Sequence, residues 1–405
     1  MQIKVHRGTH QIGGCITEIK TAKDRIIIDI GSELPTAETK ENTDFRIEGV
    51  TAGTPNCDGV FVTHYHGDHV GMFEKVLPNI PIFMGETSKQ IFATVQQVIK
   101  DKLDKGNPEL IATFKTFTPG KKLTIKDITI TPLSIDHSAY DAYALLIKAE
   151  GKRILHTGDF RMHGARGSKM PLVFEKYASN IDVLITEGTM LGRPGERVMT
   201  EHEMSREAEK LIRQNKNTFV LCSSTNIDSI ASFYNATIKN RKPFIVCDFQ
   251  ADILKIMTEN TTSSFYDFTR QKVYTYNPKN KKLHDYMKDC GFCMMIRANY
   301  AARQAIQAFP DNLLIYSMWA GYLEKHRPAY DEYKAKFIED AKTAGSKFVE
   351  LHTSGHATAE DLAKLCEITT PKIVIPIHSE QPEAFKKIGI KSHIQILNDG
   401  ENFDC

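Results

Sequence analysis

Val60-Phe61-Val62-Thr63-His64-Tyr65-His66-Gly67-Asp68-His69 sets an apolar run directly against three imidazoles and a carboxylate packed into six residues. The run reads as a buried strand. A tight turn at Gly67 lets alternate side chains face one pocket, two imidazoles toward one cation and the Asp68/His69 pair toward a second. Zinc suits such donors, because imidazole nitrogen and carboxylate oxygen both bind it at about 2.0–2.2 Å.

Two cations that each need three or four donors require more than this box. Three other places share its pattern of apolar strand, donor, then a small or turn residue. They are His137 in Ser134-Ile135-Asp136-His137-Ser138, Asp159 in His156-Thr157-Gly158-Asp159-Phe160, and His378 in Ile375-Pro376-Ile377-His378-Ser379.

From Gln2 to about Ile185, short apolar runs alternate with turn residues: Ile3–Val5, Cys15–Ile19, Arg25–Ile30, Val60–Thr63, Ile80–Met84, Leu123–Thr131, Tyr143–Lys148, Arg153–His156 and Val183–Ile185. That spacing predicts a β-rich sandwich, and helical stretches such as Thr87–Lys100 predict helices on its outer faces. Near Met190 the pattern changes. A capping box at Thr200–Glu203 opens a helix with Met204, Ala208, Leu211 and Ile212 on one face. Strands at Phe219–Cys222, Phe244–Phe249 and Leu313–Trp319 then alternate with helices from Asn226 and near Ala251–Met257, as in a doubly wound parallel unit. From Lys347 the first pattern returns, with strands Phe348–Leu351, Ile373–Ile377 and Ile394–Leu397 and a helix capped by Thr358. The expected class is α+β, with a core at 1–189 and 346–405 interrupted by an inserted domain at 190–345.

The order of these motifs resembles the β-CASP nucleases of the metallo-β-lactamase fold, ribonuclease J among them, over nearly the full chain. The resemblance implies an αββα sandwich with an inserted doubly wound α/β (β-CASP) domain, and two Zn2+ ions, with Mn2+ as the alternative. It places His64, His66 and His137 on one ion, Asp68, His69 and His378 on the other, and Asp159 between them. It implies catalytic roles for Asp68, for Glu187 in Thr186-Glu187-Gly188-Thr189, and for His356 in His352-Thr353-Ser354-Gly355-His356, the protonating histidine of the family. His378 resembles the form found in RNA-processing members, where DNA-repair members carry an apolar residue. Two departures stand out: no proline follows His137, and ribonuclease J continues into a linker and a domain that helps dimerisation, whereas this chain stops soon after His378.

The expected activity is metal-dependent hydrolysis of RNA phosphodiester bonds, endonucleolytic, 5′-exonucleolytic or both. The alternative is hydrolysis of DNA or of a small ester, thioester or lactam. The expected partner is single-stranded RNA, with a homodimer left open. Ser354 and Gly355 are candidates for substrate contact. Ser223-Ser224-Thr225-Asn226, between a strand and a helix start, reads equally as an anion site or as plain capping. Arg161, Arg166 and Lys169 read equally as phosphate contacts or solvated surface.

With 405 residues and a net charge of +2, the whole chain does not announce a nucleic-acid binder. Yet Met190–Gly345 holds 23 Lys and Arg against 18 Asp and Glu. Arg270–Lys288 interleaves Arg270, Lys272, Lys279, Lys281, Lys282 and Lys288 with Tyr274, Tyr276 and Tyr286, which reads as solvated surface or a phosphate-contact strip. No apolar stretch approaches the roughly 20 residues that span a bilayer, and the start lacks a secretion signal, so the expected place is the cytoplasm, without a membrane partner. Eight scattered cysteines read as reduced thiols, with Cys290 and Cys293 a structural pair in an apolar segment.

Overall fold

The computed structural model describes residues 1–34, 45–193 and 195–405. They form two compact units, one holding the described residues up to Arg197 and again Gly355–Cys405, the other Val198–Ser354.

The first unit contains two seven-stranded sheets. The first runs, in spatial order, Asn402–Asp404, Gln2–Arg7, Ile16–Lys20, Arg25–Ile28, Gly59–Phe61, Ile82–Gly85 and Lys115–Phe117. The second runs His393–Ile394, Ile373–Ile377, Val183–Glu187, Lys152–His156, Tyr143–Ala149, Ile128–Ser134 and Leu123–Ile125. Period-2 alternation puts Ile3, Val5, Ile26 and Ile28 of the first sheet in one core with Ile130, Leu145, Ile147, Ile154 and Ile185 of the second. The other face of the second sheet offers Leu146, Leu155, Leu184 and Val374 to Met170 and Phe174 of helix Met170–Tyr177 and to Leu362 and Leu365 of helix Ala359–Thr369. Beside the first sheet, helix Glu86–Leu103 buries Ile91 and Phe92, with the Phe92 ring 5.2 Å from Phe73. The layering is helix, sheet, sheet, helix, as expected. Side chains buried this completely typically contribute about 1.5–3 kcal/mol each.

The second unit is a six-stranded, all-parallel sheet in the order Val273–Thr275, Phe244–Val246, Phe292–Ile296, Asn217–Cys222, Asn312–Ser317 and Lys347–Glu350. Strands buried on both faces read as continuous apolar runs, as in Asn217–Cys222 and Asn312–Ser317. The capping box at helix Glu201–Gln214 is complete, and Met204, Ala208 and Ile212 are buried.

Several expectations are corrected. Strand Lys347–Glu350 pairs with Asn312–Ser317, so it closes the inserted sheet and does not open the return segment. The insert is therefore Val198–Ser354 where 190–345 was expected. Leu123–Thr131 is a hairpin, because Lys126 turns the chain at φ +49°. Phe244–Phe249 stops as a strand at Val246, and Asp248 already begins a helix. Cys290 ends a helix in an exposed position while Cys293 is buried in the next strand, so they are not a pair in one apolar segment. All eight cysteines are free thiols. Among the described residues, no helix is long and apolar enough to cross a membrane.

Candidate metal centre

Strand Gly59–Phe61 runs parallel between Arg25–Ile28 and Ile82–Gly85, and the histidine box follows its C-terminal end. His66 occupies the N-cap position of the short helix Gly67–Val70 without a side-chain capping bond. Residues at the ends of strands Ile16–Lys20 and Arg25–Ile28 grip the box from behind. Cys15 N donates to Asp68 O at 3.0 Å, Ile30 N to His69 O at 2.8 Å and Ser32 N to Gly67 O at 3.0 Å. Gly31 is needed for this approach, since a Cβ there would lie 1.8 Å from Asp68 O.

The remaining candidates come from the second sheet. Ile128–Ser134, Lys152–His156, Val183–Glu187 and Ile373–Ile377 all point the same way, so their C-terminal ends share one edge. From that edge project His137, Asp159, Glu187 and His378. Gly158, at φ +57°, makes the turn that aims Asp159. His378 itself takes φ +50°, an uncommon conformation for a residue with a Cβ. It is held by donation of its N–H to Gly8 O at 2.6 Å.

These residues form two abutting donor groups. In the first, His66 Nδ1 lies 3.2 Å from His64 Nε2 and 3.2 Å from His137 Nε2. In the second, Asp68 Oδ2 lies 3.2 Å from His378 Nε2 and 4.0 Å from His69 Nε2. Asp159 Oδ2 lies 3.2 Å from His69 Nε2 and 4.0 Å from His64 Nε2, which places one carboxylate oxygen against both groups. A tetrahedral ion with bonds of about 2.0–2.1 Å holds neighbouring donors about 3.3 Å apart, close to the spacing here.

A cation fits this donor set on two further grounds. His69 Nε2 and Asp159 Oδ1 are buried without a hydrogen-bond partner, an arrangement that is costly unless another group satisfies them. The protonation states of five of the donors also suit ligation, whereas burial pushes His69 down but Asp159 and Asp29 outweigh it and raise it well above the ordinary value, so a cation there must displace its proton. Burial, reinforced by neighbouring imidazoles, pushes His64 and His137 well below the ordinary histidine value, and burial brings His66 to about 4. Asp68 is held low against the effect of burial by His69 and His378, and Asp159 by His378, His69 and His356. Neutral imidazoles and ionised carboxylates are the forms that bind metal.

A surrounding shell orients the rings. His69 Nδ1 lies 2.8 Å from Asp29 Oδ2, which leaves Nε2 as the inward atom. Asp29 also accepts from Thr63 N at 2.7 Å and Thr63 Oγ1 at 2.9 Å. His137 Nδ1 donates to Gly355 O at 2.7 Å, and His378 Nδ1 pairs with Thr189 Oγ1 at 2.8 Å. Asp29 and Thr189 were not singled out in the sequence, although Asp29 follows the apolar run Ile26–Ile28 just as Asp159 follows its own. Asp29→Ala should weaken metal binding about 10–100-fold. Competition with a chelator reads this directly, and unchanged affinity would remove Asp29 from the shell.

Glu187 is fully buried. Its Oε1 accepts from Phe160 N at 3.2 Å and Ala357 N at 3.1 Å, and Oε2 accepts from Thr189 N at 3.2 Å. Both oxygens lie 3.2 Å from His356 Nδ1, which is itself 3.7 Å from Asp159 Oδ2. Burial pushes the His356 imidazole down, but Glu187 and Asp159 outweigh it and raise it above its ordinary value.

The expected substrate contacts fare less evenly. Arg161 is fully buried, with Nε 3.1 Å from Asp136 Oδ1, so it cannot reach a phosphate chain. A guanidinium taken out of water needs a carboxylate, and Asp136 supplies it. Arg161→Leu should cost about 3–5 kcal/mol by removing the buried guanidinium that neutralises Asp136, which keeps only weaker partners such as the Arg166 N–H. Thermal unfolding measures this, and an unchanged melting temperature would contradict it. Arg166 stacks over the Tyr140 ring at 4.8 Å, and Lys169 is exposed. Gly355 acts on His137 through its carbonyl; a Cβ there would lie 2.8 Å from Ser138 Oγ. Ser354 is buried at the end of the second unit. In that unit Ser223 is exposed and Ser224 buried, just past strand Asn217–Cys222, and Asn226 caps the following helix.

This sandwich, with its donors at one sheet edge, defines a metallo-β-lactamase fold. Residues 24–220 match the beta-lactamase superfamily domain, and residues 347–393 match the Zn-dependent metallo-hydrolase RNA specificity domain. Within that fold the chain is similar to ribonuclease J. It is 24% identical to ribonuclease J of Helicobacter pylori, over 98% of this chain and 59% of that one. It is likewise 24% identical to ribonuclease J of Mycoplasma genitalium, over 97% of this chain and 72% of that one. The chain thus spans about three fifths of the length of the Helicobacter relative. A crystal structure of a protein of unknown function from Enterococcus faecalis shares the fold with a TM-score of 0.78 at 20% identity, covering 99% of both chains.

Proposed function

We propose that this chain is a metal-dependent ribonuclease that hydrolyses RNA phosphodiester bonds with two zinc ions. The observation that carries the reading is the pair of abutting donor groups joined at Asp159 Oδ2, with a Glu187-oriented imidazole 3.7 Å away. The match of residues 347–393 to an RNA specificity domain, and the similarity to ribonuclease J, support RNA as the substrate.

His64, His66 and His137 would hold one ion and Asp68, His69 and His378 the other, with Asp159 shared. When bound, such a pair lowers the pKa of water toward neutrality and clamps phosphoryl oxygens. The chain's own residues do the rest. Asp29, Thr189 and the Gly355 carbonyl keep His69, His378 and His137 turned inward. Glu187 accepts from His356 Nδ1 and so presents the other ring nitrogen as the proton donor for the leaving ribose oxygen.

The test is a panel of single-stranded RNA, single-stranded DNA and a thioester or lactam, run on the native protein and on Asp68→Ala. RNA cleavage lost in the variant is the expected result. Hydrolysis of the thioester or lactam alone would overturn the reading. Comparing RNA bearing a 5′-monophosphate with 5′-blocked RNA then separates trimming from internal cutting.

A further inference from the structure

Besides the metal centre, the first unit carries a cavity of about 460 Å³ against its first sheet. Because Ile3, Val5 and Ile19 point into the sandwich, Lys4, His6, Glu18 and Lys20 face the opposite way and line it. Arg25, Arg46 and Glu48 complete its charge, four full positive charges against two carboxylates.

Glu18 forms a built floor. It is 6% exposed, with Oε2 2.8 Å from His6 Nε2 and 2.7 Å from Arg25. Arg25 is also anchored by Glu48 O at 2.7 Å and Asn56 O at 3.2 Å. Lys4, Lys20 and Arg46, by contrast, make no ion pair with any described residue. With Glu18 neutralised by Arg25, the exposed Glu48 offsets one of the three remaining cations, so the described lining keeps an excess of about two positive charges. Like charges gathered without partners repel one another, and an anion relieves that repulsion.

We propose that this cavity binds the phosphate monoester of a ligand of mononucleotide size. A phosphate monoester carries about −1.5 to −2 charge at pH 7, close to the excess in the lining. The volume lies within the range of about 300–1,000 Å³ typical of small-ligand sites. The lining is too polar for an apolar ligand, and its charge is too localised to track a long backbone.

The test uses the purified chain in the Asp68→Ala background, so that nucleotide held at the metal centre is separated from nucleotide held here. Equilibrium dialysis compares uridine 5′-monophosphate, uridine and inorganic phosphate. The monophosphate should bind at least about tenfold more tightly than the other two, and more weakly as salt rises. Lys4→Glu/Lys20→Glu, two substitutions away from the core, should lose about tenfold or more of that affinity with the melting temperature unchanged. Arg46→Glu provides a second variant should the first fail to fold. Binding that survives these changes, uridine binding as well as its monophosphate, or phosphate alone binding equally tightly would overturn the proposal. None of these outcomes bears on RNA hydrolysis, which the metal centre decides.

Discussion

Asp159→Ala should release bound metal and lower the proposed RNA hydrolysis by about four orders of magnitude, or about 5 kcal/mol of transition-state stabilisation. Among the described residues no other carboxylate of the first unit is placed against both donor groups: Asp68 reaches His378 and His69, while Asp159 Oδ2 lies within 4.0 Å of His64 as well. Its loss also leaves His69 Nε2 without its nearest anion in a buried site. Elemental analysis of the dialysed protein alongside an RNA cleavage assay measures both effects. Full metal content with activity within tenfold of wild type would show that the two donor groups do not act as one centre.

His356→Ala should lower turnover about 10²–10⁴-fold while metal content stays unchanged, because the ring is held by Glu187 beside the donor set, 3.7 Å from Asp159 Oδ2 and with its centroid 5.4 Å from those of His137 and His378, and belongs to neither of the two groups. The pH profile carries a sharper signature. A proton donor is active in its protonated form, so rate holds below its folded pKa and falls as pH rises through it. Glu187 and Asp159 raise the His356 value against the pull of burial. Glu187→Gln removes one of these two carboxylates, so the alkaline limb should move to lower pH. A limb that stays in place, or loss of metal from His356→Ala, would assign this histidine a different part.

The positions that the fold brings together as candidate donors were legible because each follows an apolar strand and precedes a turn: His64 after Val60–Val62, Asp159 after Lys152–His156, His378 after Ile373–Ile377. One-dimensional pattern is enough when the strand end itself aims the side chain. Asp29 has the same local pattern but works one layer behind, and only its contact with His69, 40 residues on, distinguishes a ligand's support from a ligand. Arg161 failed for the opposite reason. Nearness to Asp159 in sequence suggested a phosphate contact, whereas burial, which depends on the partner Asp136, turned it inward. The insert's far boundary was misplaced because strand Lys347–Glu350 is half-exposed and weakly patterned, so its allegiance shows only in its pairing with Asn312–Ser317.

His378 sits on the last long strand of the second sheet, in a left-handed backbone conformation, tied to Gly8 at one end and facing Asp68 at the other. Cations shared between the histidine box and this residue would staple polypeptide made early in synthesis to polypeptide made late. Metal supply would then govern how long the folded chain survives proteolysis as well as how fast it works, since ligand held only by the native state adds its binding free energy to folding.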